Sequence, residues 1–211
     1  MIPDPIGAAV RWLGSGGLVA YPTETVWGLA AAADSELAIE RLRAWKQRPD
    51  AAPVAILVDG VEDALALGCE LGLAARRLAS AHWPGPLTLV VACQRHFAAG
   101  VARADGAIGL RCASHPLAGA LSRRARREGV GPITATSLNR HGEPPARTRD
   151  DAARLCEAAD APRLLAVEGA EAGGDAASTV VDATGLRTLV LRWGAVPRDE
   201  IEPLLSGEAR P

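Results

Sequence analysis

Eight short apolar runs, none longer than six residues, alternate along this chain with segments of helical spacing. Runs of that length suit buried strands, and the amphipathic segments between them supply the covering layer. The alternation confines the chain to the α/β class, a sheet with helices packed against it. The runs are Gly17–Tyr21, Pro53–Val58, Leu87–Ala92, Ala107–Cys112, Pro132–Ala135, Arg163–Val167, Ser178–Asp182 and Thr188–Arg192. Helices are expected over residues 5–14, from Ser35 as N-cap to Arg48-Pro49, over 61–82 with a break at Gly72, and over 116–128, 150–159 and 197–205. The last two strands flank a Thr184-Gly185 turn, so the strand order around one central twisted sheet is mixed. Pro22–Gly28 reads as a polar turn and 139–149 as a loop. The glycine-rich stretch 168–177 reads as a mobile loop, with 169–175 a candidate lid. With no internal repeat or linker, residues 1–205 are expected to form one domain and 206–211 a frayed tail.

Charge excludes one class of function. Lys+Arg is 23 against Asp+Glu 25, a net charge of -2, so no chain-wide positive field draws in nucleic acid. Any grip on phosphate has to be local. The four cysteines, Cys69, Cys93, Cys112 and Cys156, form no CxxC pair and read as reduced thiols. The first residues lack a basic start followed by a long apolar run, and no run approaches the roughly 18 residues of a membrane span. The expectation is a soluble cytoplasmic protein with no membrane partner.

Of the 23 basic residues, 22 are arginine. The one lysine, Lys46, marks a position that wants a compact point charge rather than a planar fork. The chain has no GxGxxG, GxxxxGK[ST] or GxSxG motif, and its four histidines lack metal-ligand spacing. What remains is a set of polar residues where elements end. Thr23 and Thr25 follow the first strand, Lys46 and Arg48 close a helix, and Arg111 ends a strand. Thr136, Ser137 and Asn139 end another, Ser178 and Thr179 open one, and Arg192 closes the last. Strand ends are where α/β sheets bind ligands, and cations with hydroxyls and an amide suit a phosphate or a carboxylate. The ordinary alternatives are turn hydrogen bonds for Thr23 and Thr25 and helix capping for Ser137 and Asn139.

Seven segments carry a resemblance, in order from residue 17 to 196: Tyr21-Pro-Thr-Glu-Thr-Val-Trp-Gly-Leu29, Lys46-Gln-Arg-Pro49, Trp83-Pro-Gly-Pro-Leu-Thr88, Gly109-Leu-Arg111, Ala135-Thr-Ser-Leu-Asn139, Ser178-Thr-Val-Val-Asp182 and Leu191-Arg-Trp-Gly-Ala195. The chain resembles the YrdC-like threonylcarbamoyl-AMP synthases in their short, single-domain form. The resemblance implies a single-domain twisted mixed sheet with flanking helices and a concave active-site groove. It implies a nucleotidyltransferase that joins L-threonine, bicarbonate and ATP into threonylcarbamoyl-AMP and pyrophosphate. A separate transferase complex then passes the group to tRNA, which the synthase meets only indirectly or weakly. Lys46, Arg48, Ser137, Asn139 and Arg192 match ATP-site residues, with Lys46 and Arg48 facing phosphates as the catalytic pair. Thr25, Arg111 and Ser178 match threonine-site residues, with Arg111 suited to the carboxylate. Thr23, Thr136, Thr179 and Trp27 are candidates for the same pocket. Mg2+ is expected on the ATP phosphates, with no protein ligand assigned.

The chain departs from the family pattern at four places. Leu57 stands where many members carry a threonine-site histidine, which bears on side-chain recognition rather than on the reaction. Trp27 replaces the usual Tyr or Phe, Trp193 the usual Pro, and His141 the usual Ser. Trp27 and Trp193 are each open to a place in the pocket or to ordinary packing. Two other readings compete: a carbamoyl-adenylate-forming enzyme of the same domain type, and a non-catalytic RNA-binding module whose patch would be Arg123–Arg127. The common fate of such an arginine run is a solvated helix face.

Overall fold

The structure, a computed structural model, describes residues 4–47, 53–158, 160–165, 167 and 169–205. Helix α1 (Pro5–Gly14) starts where Asp4 accepts the Gly7 N–H at 3.0 Å and Pro5 takes the first helical position. Strands β1 (Val19–Tyr21) and β2 (Gly28–Ala30) follow. Helix α2 (Glu36–Lys46) opens on the Ser35 side chain and stops at Gln47, whose left-handed φ of 53° ends the helix with Lys46 as its last residue. Next come β3 (Ile56–Leu57), α3 (Val61–Ala66), α4 (Leu73–His82), β4 (Leu87–Ala92), β5 (Ala107–Arg111) and α5 (Pro116–Arg127). The chain continues through β6 (Thr136–Ser137), α6 (Arg149–Leu155), β7 (Arg163–Leu164), β8 (Thr179–Asp182), β9 (Leu189–Arg192) and α7 (Arg198–Leu205). The expected tail, 206–211, lies outside the described residues.

The strands form two mixed sheets where the sequence suggests one. Their orders are β6-β2-β1-β7 and β3-β5-β4-β8-β9. The expected strand Pro132–Ala135 is the seam between them. Pro132 O and Thr134 N bond toward the first sheet, to Ala33 N and Ala31 O at 2.9 Å each. Ile133 O and Ala135 N bond toward the second, to Leu57 N at 2.9 Å and Ala55 O at 2.7 Å. Successive residues thus bond to opposite sides, as in the middle of a sheet, but the pairing is too brief to form a ladder. The Pro22–Gly28 turn leads straight into β2, which the sequence does not announce. Gly28-Leu-Ala carries no β-branched residue, and the strand exists because β1 and β6 pair with both of its edges.

The larger core cluster includes Trp27, Leu29, Ile39, Leu42, Leu78, Leu87 and Leu89. The smaller lies under α1 and α5, around Tyr21, Leu57 and Ile133. Two of the cysteines that look scattered in sequence meet here. Cys69 and Cys93 are antiparallel partners, flanked by Glu70 N–H to Ala92 O at 2.8 Å and Gln94 N–H to Gly68 O at 3.0 Å. All four cysteines are free thiols. Among the described residues, no helix is long and apolar enough to cross a membrane.

One side chain holds the seam to β2. Thr134 is fully buried, and its hydroxyl accepts the Ala31 N–H at 2.9 Å while donating to Leu29 O at 3.1 Å. Thr134→Val keeps the shape and strands the buried Ala31 N–H. It is expected to lower stability by about 1–3 kcal/mol, read as a lower urea midpoint with unchanged slope. An unchanged midpoint would show that the Thr134 hydroxyl does not stabilise the seam.

Candidate active site

Residues of β5, β4 and β8 on one face of the second sheet, with the end of the seam and the turn after β1, enclose a common space. The result is a cavity of about 410 Å³. Thr23, Thr25, Trp27, Lys46, Arg111, Thr136, Ser137, Asn139, Ser178 and Arg192, drawn from six separate stretches of sequence, all line it. Arg48 lies outside the described residues.

One end is built on the turn after β1. Thr23 Oγ1 donates to Val26 O at 2.7 Å, so its single proton is spent. The Thr25 hydroxyl, 2.8 Å away, therefore donates to Thr23, and its lone pairs face Arg111 Nη2 at 3.4 Å. Arg111 is 6 % exposed at the end of β5, and its Nη2 meets Glu24 Oε1 at 2.5 Å. The other carboxylate oxygen, Oε2, accepts the His115 N–H at 3.3 Å. Turn hydrogen bonding and a place in the cavity are thus both true of Thr23 and Thr25.

A second part of the lining rests on Lys46. Its ammonium, on a residue 3 % exposed, donates to Ser137 O at 2.6 Å, Asn139 O at 3.0 Å and Asn139 Oδ1 at 2.9 Å. Three acceptors converge on one point, a geometry that a tetrahedral ammonium meets and a planar guanidinium does not. The Ser137 hydroxyl also donates to Asn139 Oδ1, at 2.6 Å, and Asn139 Nδ2 donates to Glu143 O at 2.6 Å. Ser137 and Asn139 therefore cap no helix; they form a knot around the lysine.

Arg192 closes the third side. Its Nε and Nη2 donate to Ser178 O at 3.2 and 2.9 Å, and Nη2 reaches Ser178 Oγ at 3.2 Å. Burial, and then the like charge of Arg111, hold its pKa below the usual arginine range. The approach of 194–196 to this strand depends on Gly194, where a Cβ would lie 2.2 Å from Ala177 O.

Two of the pocket candidates fall elsewhere. Thr179 is fully buried on the other face of β8, where it donates to Val196 O at 2.7 Å and accepts from Gly194 N at 2.9 Å. The period of a strand turns it away from its neighbour Ser178. Trp193 is 39 % exposed under the Arg198 guanidinium, 4.9 Å from its ring centre, while Trp27 is fully buried in the cavity wall. Leu57, 2 % exposed, makes the wall apolar at the position of the family's histidine. His141 lines the cavity and its N–H donates to Lys46 O at 2.7 Å.

Other residues of the site escape the sequence reading. Thr88 places its hydroxyl 2.9 Å from Ser178 Oγ; its signals are its place at the end of the Trp83–Thr88 segment and a polar side chain inside an apolar strand. Arg103 lines the rim, paired with Asp105 and Asp182, and nothing in its local sequence marks it. That pairing holds the Asp105 carboxyl down at about 2. Glu24 sits in a quoted motif, but only the fold reveals that it meets Arg111. Three of the four arginines in the run on α5 are tied into the protein: Arg123 pairs with Asp59, Arg124 with Asp4 and Glu128, and Arg126 with Asp63. The 169–175 loop, expected to be mobile, docks on the Thr23–Thr25 turn, with Gly173 N bonded to Thr23 O and Gly174 N to Thr25 O at 2.9 Å each. Among the described residues, no group of three or more His, Cys, Asp or Glu is arranged to hold a metal ion.

The profile of the Sua5–YciO–YrdC family, described as "Telomere recombination", matches residues 11–194. A threonylcarbamoyl-AMP synthase of Pyrococcus abyssi is 33% identical over 205 residues, covering 97% of this chain and 58% of the relative. The chain therefore spans little more than half the length of that relative. One of Chromohalobacter salexigens is 36% identical over 188 residues, covering 88% of this chain and 96% of the relative. The crystal structure of P. abyssi Sua5 complexed with L-threonine superposes with a TM-score of 0.86 at 31% identity, over 100% of this chain and 60% of that one. On the extent of the profile match, and with the same fold, this chain belongs to the Sua5–YciO–YrdC family.

Proposed function

We propose that this cavity joins L-threonine, bicarbonate and ATP into threonylcarbamoyl-AMP, releasing pyrophosphate. The observation that carries the reading is the division of one cavity into two cationic ends. Arg111 with the Thr25 hydroxyl forms one, and Lys46 with Ser137 and Asn139 forms the other. Arg192 lies close enough to Arg111 to feel its charge. An amino-acid carboxylate suits the Arg111 end, and a triphosphate suits the Lys46 end, where Arg48 follows Lys46 by two residues.

The reaction brings anions together. The threonine amine attacks bicarbonate, water leaves, and the resulting carbamate is negatively charged. Its oxygen then attacks the α-phosphate of ATP, and pyrophosphate carries away the bonding pair. Each step is slow in water because like charges approach one another. Fixed cations in a walled cavity offset that repulsion without having to reorganise. Lys46 contributes a buried charge and holds Ser137 and Asn139 in place. Arg111 contributes charge toward the amino acid and the carbamate, and Arg192 toward the nucleotide phosphates. The lining offers no covalent nucleophile in a base-activated pair, which fits catalysis by positioning and electrostatics. Magnesium enters on this reading as part of the Mg–ATP substrate, since the described residues supply no cluster of ligands for it. The free thiols suit a reducing cytoplasm. The product, an activated acyl-phosphate anhydride, would pass to a transferase complex acting on tRNA.

The test is pyrophosphate release from Mg–ATP and bicarbonate with L-threonine, L-serine or no amino acid. Threonine-dependent release is expected. Release with carbamoyl phosphate in place of threonine would replace this reading with carbamoyl-adenylate formation. Lys46→Arg keeps the charge but not the three-way geometry, and is expected to lower the melting temperature and, in the protein that still folds, to lower kcat by about tenfold or more. A wild-type kcat in that variant would show that charge alone is what the site takes from Lys46.

A further inference from the structure

We propose that Glu24 is a positioning residue for amino-acid binding, which fixes the Arg111 guanidinium so that one nitrogen is left for the ligand carboxylate. The inference rests on the threonine reading of the Arg111 end and extends it to a side chain that is not itself among the cavity-lining residues.

Arg111 has three nitrogens to place. Nη2 is held by Glu24 Oε1 at 2.5 Å and lies 3.4 Å from Thr25 Oγ1. Nε is buried without a hydrogen-bond partner among the described residues. Nη1 is then the nitrogen that no described residue engages and that burial does not remove. An arginine side chain free to rotate would spread its donors over many orientations, and ordering it on binding costs affinity. The Glu24 contact removes that freedom beforehand.

The carboxylate is itself anchored by a second donor. Oε2 accepts the His115 N–H at 3.3 Å, at the start of α5. His115 Nδ1 accepts the Leu117 N–H at 3.2 Å, so the neutral ring carries its proton on Nε2, facing Glu171 O at 3.1 Å. The 169–175 loop lies over the backbone of the same turn, and a Cβ on Gly174 would stand 3.0 Å from Glu24 O. The start of α5 thus holds the carboxylate and the loop holds the backbone that carries it; the Glu24 side chain is 16% exposed against 8% for Arg111. Its charge has a second effect. It offsets Arg111 beside Arg192, which makes the Arg111 end suited to a single carboxylate and leaves the triphosphate to the Lys46 end.

The experiment is calorimetric titration of L-threonine and, separately, of Mg–ATP into wild type, Glu24→Ala, Arg111→Ala and the double variant, with steady-state kinetics alongside. Glu24→Ala is expected to weaken L-threonine binding by about tenfold or more while Mg–ATP binding stays within about twofold. The threonine KM should rise likewise, by more than kcat at saturating threonine falls. In the Arg111→Ala background, Glu24→Ala should add less than about twofold, because its partner is gone. If Glu24→Ala fails to fold, Glu24→Gln carries the comparison: it keeps the shape, loses the charge, and can accept from only one of the two donors. Equal losses for threonine and ATP, or an undiminished effect without Arg111, would overturn the proposal. Wild-type protein that binds no L-threonine would overturn the threonine reading itself, and the inference with it.

Discussion

Cations withdrawn from water around one cavity are the condition that the rest of this structure serves. A buried charge is tolerated only where enough acceptors surround it. Lys46 and Arg111, 3 % and 6 % exposed, meet that demand differently. Lys46 is met by two carbonyls and an amide oxygen and Arg111 by a carboxylate, while Arg192, exposed at the end of β9, rests on one backbone carbonyl and a hydroxyl. Only the first two sets come from elements remote in sequence. The lysine draws on β6 and the turn beyond it, and the arginine on the turn after β1. The cavity therefore exists only when the seam has joined the two sheets.

The seam explains why so many short strands suffice. A strand of two or three residues has little stability alone. Here Thr134 and its neighbours bond alternately to both sheets, and the short strands β2, β3 and β6 gain partners that their own sequences do not guarantee. Function and fold share these contacts. Ser137 sits in β6 as well as in the cavity, and Leu57 belongs to β3 as well as to the cavity wall.

Much of this was legible in the sequence, for identifiable reasons. Helices α1, α2, α4 and α5 follow from spacing, caps and prolines, and strands β4, β5, β8 and β9 from apolar runs. The convergence of Lys46, Ser137, Asn139, Arg111 and Ser178 was legible because all sit at element ends, which topology gathers together. β2 was not legible, since Gly28-Leu-Ala has no strand preference of its own. The division into two sheets was not, since an alternating seam reads as one more strand. Thr179 was misplaced because adjacent strand residues face opposite ways, and nothing local says which one faces in. Arg103 and Glu24 were missed because their importance lies in partners distant in sequence. Trp193 and three of the α5 arginines show the reverse: prominent in sequence, they are taken up by stacking and by ion pairs.

The central claim is that one cavity sorts two anions to two ends. A crystal structure with L-threonine and a non-hydrolysable ATP analogue tests it most directly. The account predicts the threonine carboxylate on Arg111 beside Thr25, and the phosphates toward Lys46, Asn139 and Arg192. Phosphate on Arg111, or threonine bound outside the cavity, would contradict it.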